Sequence, residues 1–176
     1  MNKIGTILPT VMVGLGVIGP VQAADQTAAA QKVLSSLHHA NQTEIVMARM
    51  AKEKGASGQV RAYADRLMKD HGDADRQVQA VAQKNGITLV APSTSGFFDR
   101  IVAAREERTL ANLSKKTGED FDKTFTDAMI DDHMRDINNL ESAENSLPPG
   151  DVHDLIAKLL PTLQQHLEQA QEIQKS

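Results

Sequence analysis

Apolar residues recur at steps of three and four along most of this chain, without a strand-like alternating run. That spacing is the period of one helix face, so the pattern predicts helices throughout. In residues 26–54 the stripe reads Val33, Leu37, Ala40, Glu44, Met47 and Ala51. Residues 58–85 continue it with Val60, Ala64, Leu67, His71, Ala74, Val78 and Val81. A charged, weakly amphipathic helix is expected over 96–115. Residues 118–145 present Phe121, Phe125, Met129, His133, Ile137 and Leu140, and residues 151–174 present Val152, Ile156, Leu159, Leu163, His166, Ala170 and Ile173.

The punctuation agrees with these spans. In "KGASG", Gly55 suits the position after a helix end, and Ser57 can cap the next helix. Gly86 and Pro92 stop the second helix, Thr117 can cap the fourth, and "SLPPGD" is an abrupt turn. Pro161 lies inside the last helix, where a lost N–H and a ring clash predict a kink or restart just before His166. Tight turns join the first pair of long helices and the last pair, and about thirty residues join the two pairs. The expected fold is all-α: a ferritin-like four-helix bundle whose long crossover contains a short extra helix.

Each long helix carries one polar side chain on its apolar stripe: Glu44, His71, His133 and His166. Glu44 lies about thirteen residues before the first turn and His71 about fourteen after it. His133 and His166 lie about sixteen and seventeen residues from the second turn. At a rise of about 1.5 Å per residue, the members of each pair are level, and all four fall near mid-helix. Two short segments echo one another: "DRLMKDH" (65–71) and "DAMIDDH" (127–133) share the pattern Asp-x-apolar-apolar-x-Asp-His, which sets Asp70 and Asp132 beside helix seams.

Four level polar groups can satisfy one another in two ways. They can form a buried Glu–His network that fixes helix register. Alternatively, neutral imidazoles with one carboxylate suit a transition metal: Zn, Fe, Mn, Cu or Ni. The other histidines are weaker candidates. Of the adjacent His38 and His39 only one can approach a core, and His153 near a helix start is expected at the surface. No phosphate loop, EF-hand loop or hydrolase motif is present.

The first residues read as an export signal rather than as fold. Lys3 precedes the apolar stretch "IGTILPTVMVGLGVIGP", and "VQA" places Val21 and Ala23 at the small-residue offsets of a cleavage site. Residues 1–23 are therefore expected to be removed, leaving a single helical domain over 24–176 in the periplasm, with no membrane span. Cysteine is absent, which excludes disulfides, thiol chemistry and a lipid-anchor cysteine. The chain has 19 basic against 23 acidic residues, and loss of Lys3 makes it more acidic. With no basic patch, nucleic acid is not an expected partner.

Three segments, "ANQTEIVMARMAKEKGASGQVRAYADRLMKDHGDADRQVQAVAQKNGITL", "GEDFDKTFTDAMIDDHMRDINNLE" and "LLPTLQQHLEQA", resemble bacterial exported proteins of the domain of unknown function 4142 family. The resemblance covers essentially the whole mature chain. It implies a ferritin-like fold and marks Glu44, His71, Phe121, Asp122, His133, Pro161 and His166 as family-pattern residues, but it implies no reaction. Such proteins are often labelled outer membrane proteins, yet the chain has no alternating ten-residue segments of a barrel.

A di-iron carboxylate bundle needs Glu-x-x-His on two helices. Here Met68, Ile130 and Leu163 stand three residues before His71, His133 and His166, so ferroxidase or oxygenase chemistry is not expected. The sequence reads as a non-catalytic periplasmic binding or stress-related module. The alternative is a periplasmic transition-metal-binding protein using Glu44, His71, His133 and His166.

Overall fold

A computed structural model describes residues 20–176, and its secondary structure is five α-helices: α1 Pro20–Lys54, α2 Gly58–Lys84, α3 Phe97–Ser114, α4 Gly118–Ser146 and α5 Asp151–Lys175. The signal peptide expected over residues 1–23 lies outside the described residues except for its last four, which form the first turn of α1. Among the described residues, no helix is long and apolar enough to cross a membrane.

The four long helices form a closed ring in the order α1, α2, α5, α4. Paired residue numbers show every neighbour in it to be antiparallel. Between α1 and α2, Lys52 meets Asp65, Glu44 meets His71 and His38 meets Asp75, so one number falls as the other rises. Between α2 and α5, Lys84 meets Asp151 and Arg66 meets Gln169. α2 therefore ends at the opposite end of the bundle from the start of α4. The crossover has to run the length of the bundle, and α3 does so along the outer seam of α1 and α4. It is fixed there by Thr43 and His39 to Glu106, by Lys54 to the Ser114 carbonyl and by Arg105 to Asp131.

The helix ends mostly follow local chemistry. Ser57 Oγ accepts from the amides of Gln59 and Val60 and caps α2. Gly86, at φ +64°, closes α2 in a Schellman turn, with its own amide on Gln83 O and the Ile87 amide on Ala82 O. Thr117 occupies the N-cap of α4 but makes no side-chain cap bond, contrary to the expectation. Gly55 also acts differently from its expected role after the helix end: its φ is not positive. A Cβ there would lie 2.7 Å from Asp122 Oδ1, and that carboxylate caps the turn through the amides of Ala56 and Ser57. Gly55 is therefore a space requirement that lets α4 clasp the α1–α2 turn. Helix α5 runs unbroken through Pro161, which is exposed on its outer face, so no restart precedes His166. Pro161 has no N–H for the Ala157 carbonyl, and both residues lie on the exposed face, where water can take that carbonyl.

Two apolar clusters fill the bundle. One is aliphatic, built around Leu34, Val78, Ile156 and Leu160. The other is aromatic and sulfur-rich, built around Tyr63, Phe121, Phe125, Met47 and Met129. Asn41, Glu44, His71, His133 and His166 are all buried and fall between these clusters in sequence on their helices. The α1 stripe is rotated from the expected one: Leu34, Leu37, Asn41, Glu44, Ala48 and Ala51 are buried, while Val33 and Ala40 are half-buried flanks.

Candidate metal centre

The stripe periodicity of four helices brings Glu44, His71, His133 and His166 into one layer. Glu44 and His71 are 2% and 3% exposed, and both other histidines are fully buried. One nitrogen from each of the three imidazoles lies within 4.8 Å of the others. Glu44 Oε2 is 2.5 Å from His71 Nε2 and 3.6 Å from His133 Nε2. His133 Nε2 is 3.3 Å from His166 Nδ1.

The outward nitrogens decide what the inward ones can do. His71 Nδ1 donates to Asn41 Oδ1 at 2.9 Å, His133 Nδ1 to the Met129 carbonyl at 2.9 Å, and His166 Nε2 to Asp70 Oδ2 at 3.1 Å. Each of those partners accepts only, so each outward nitrogen carries its proton. In a neutral imidazole the other nitrogen then has a bare lone pair. Three lone pairs and a carboxylate oxygen therefore converge, and the facing pair of His133 and His166 has no proton to share. Glu44 Oε2 and His71 Nε2 are both buried and face each other at 2.5 Å, so only a proton on His71 Nε2 or a cation between them relieves the approach. Histidines held by outer acceptors with inward lone pairs are the usual arrangement of ligands around a metal ion.

The charges reinforce the picture. Burial opposes a charge on Glu44, but His133, His71 and His166 outweigh it and hold the carboxyl down at about 2. Burial also opposes protonation of His71, yet Glu44, supported by Asp136 and Asp70, raises it above the ordinary imidazole range. Burial, with the charge of His71, pushes His166 down to about 4 against the pull of Asp70. Glu44 is thus an anion, His166 is a neutral base, and His71 is the group that takes a proton when no other cation is present.

Sequence reasoning missed several supporting groups. Asn41 lies three residues before Glu44, but a stripe drawn through Ala40 hid it. Tyr63 is buried, donates to the His166 carbonyl at 3.0 Å, and meets the His166 ring edge-on at 6.3 Å. Asp136, one turn after His133, is pushed up to about 7 by burial and then by Glu44. Asp70 and Asp132, equivalent in the sequence echo, diverge: Asp70 holds His166, while Asp132 pairs with Arg135. The remaining histidines stay out of the layer. His38 and His39 are partly exposed and bind Asp75 and Glu106 respectively. His153, expected at the surface, is half-buried.

Comparison with protein families matches residues 18–173 to the family described as Domain of unknown function (DUF4142). No curated protein and no solved structure matched. The match spans nearly the whole chain, and the protein therefore belongs to the DUF4142 family.

Proposed function

We propose that this chain is an exported, non-catalytic bundle of ferritin-like topology that holds one transition-metal ion between Glu44, His71, His133 and His166. The observation that carries the reading is the direction of the protons. All three outward ring nitrogens donate to Asn41, Met129 and Asp70, so in the neutral rings the inward nitrogens are acceptors. A cation is the group that satisfies four converging acceptors at once. Three nitrogens and one oxygen, with no thiolate, suit Zn, Fe, Mn, Cu or Ni. Support for export comes from Lys3, the apolar stretch after it and "VQA". Support for the ferritin-like description comes from the antiparallel ring with its single end-to-end crossover.

A second reading rests on the 2.5 Å approach of His71 to Glu44. There a proton on His71 Nε2 takes the place of the metal, and the layer serves as a register-fixing network. Thermal melts with and without a chelator separate the two. Under the metal reading, a chelator lowers the melting temperature of the untagged protein, because an ion that binds only the native state stabilises it by mass action. His71→Ala then removes the chelator effect. A melt indifferent to chelator and to added metal supports the network instead.

A further inference from the structure

The layer borders a cavity. His71 and His166 are in the wall of a cavity of about 220 Å³ between α2 and α5, and Asn41 of α1 lines it as well. Glu44 and His133 are not among its walls. Asn41 is only 4% exposed, and its Oδ1 is taken by His71 Nδ1. Its Nδ2 is buried with no partner. A buried amide N–H without an acceptor is costly, and such groups are rare in folded proteins unless a ligand or water completes them.

The wall charges are unequal in availability. Asp70 is engaged by His166 and Lys69, and Asp73 by Lys69 and Arg76. Lys158, exposed on the same wall, has no ion-pair partner among the described residues. The space is smaller than the roughly 300–1,000 Å³ of sites for larger organic ligands, but exceeds the roughly 30 Å³ share of one water.

We propose that this cavity binds a small oxyanion of formate size. One oxygen would reach a metal held by His71 and His166 from the cavity side, and the other would accept from Asn41 Nδ2. Lys158 balances the charge at the mouth. The inference rests on the metal reading above and names the class of external ligand that the metal would take.

The test uses the full mature chain loaded with cobalt(II), whose visible absorption reports its coordination. Sodium formate is titrated at constant ionic strength. Saturable change in the cobalt bands is expected. Asn41→Asp retains an oxygen for His71 Nδ1 but replaces the free donor with an acceptor, so formate binding should weaken about tenfold or more when measured at cobalt concentrations that saturate the variant, whose own cobalt affinity is determined first. Lys158→Met alters only the exposed rim, and should weaken formate binding a few-fold at unchanged cobalt stoichiometry. Cobalt bands indifferent to formate overturn this inference alone. So do two variants that bind formate as the wild type does, and if Asn41→Asp does not fold, Lys158→Met decides. Failure of cobalt to bind overturns the metal reading together with it.

Discussion

The two sides of the polar layer are built differently. On the α1–α4 side, Glu44 and His133 are locked: His133 is held by the carbonyl of its own preceding turn, and Glu44 is surrounded by imidazoles. On the α2–α5 side, His71 and His166 are held by Asn41 and Asp70, side chains that also border a cavity. The locked side sets charge and geometry. The α2–α5 side is the one through which His71 and His166 border a cavity. Substitutions on the locked side should therefore damage the fold, and those on the α2–α5 side should mainly alter what the layer binds.

The largest effect is expected from Glu44→Ala. Removing the layer's own buried anion leaves His71 without its counterion, and breaking such a pair costs about 3–5 kcal/mol. Denaturant unfolding of the chelated protein measures it. A loss below about 1 kcal/mol would erase the difference between the two sides.

The pH profile of the chelated protein comes next. His166 is held down at about 4 from an ordinary 6.5, so the unfolded chain takes up a proton that the native state refuses. Stability should fall as pH drops from about 6.5 towards 4, by up to about 3 kcal/mol from this group. His71 is raised, so its contribution is complete below pH 6.5 and is lost as pH rises through its native value. The two histidines by themselves favour a maximum near pH 6.5, while Asp136, raised to about 7, works against the acid limb because its native proton stabilises the fold increasingly as pH falls from 7 towards 4. Metal should reverse the alkaline limb, because protons no longer compete for the lone pairs. Melts across pH 4–9 with and without zinc check both limbs.

Asp70→Asn should be milder on the fold and sharper on binding. Asp70 is at the surface end of the layer and orients His166 through a charge-assisted bond. The expected stability loss is about 1–2 kcal/mol, with metal affinity lowered about 10–100-fold. The smallest effect is expected from Tyr63→Phe, which removes one bond to the His166 carbonyl and should cost about 1 kcal/mol by denaturant unfolding, leaving metal stoichiometry intact.

Much of this organisation was legible in the sequence because it rests on periodicity. The helix spans, the long crossover and the level placement of Glu44, His71, His133 and His166 follow from three- and four-residue steps counted from the turns. The supporting groups were not legible, because each depends on a neighbour distant in the chain. Asp70 and Asp132 share one local motif, yet one faces His166 across a seam and the other bonds its own helix. Gly55 looks like a helix stop, and only the approach of Asp122 reveals why a side chain is excluded. Pro161 signals a break locally, yet α5 continues through it on an exposed face, held by its packing on either side.

Zinc stoichiometry tests the central claim most directly. Untagged mature protein is stripped with chelator, dialysed against micromolar zinc at neutral pH, and weighed by native mass spectrometry beside His71→Ala and His133→Ala. One zinc per wild-type chain, absent from both variants, is the expected result. A wild type that takes up no zinc, or variants that take up as much as the wild type, would contradict a metal centre built from these four residues.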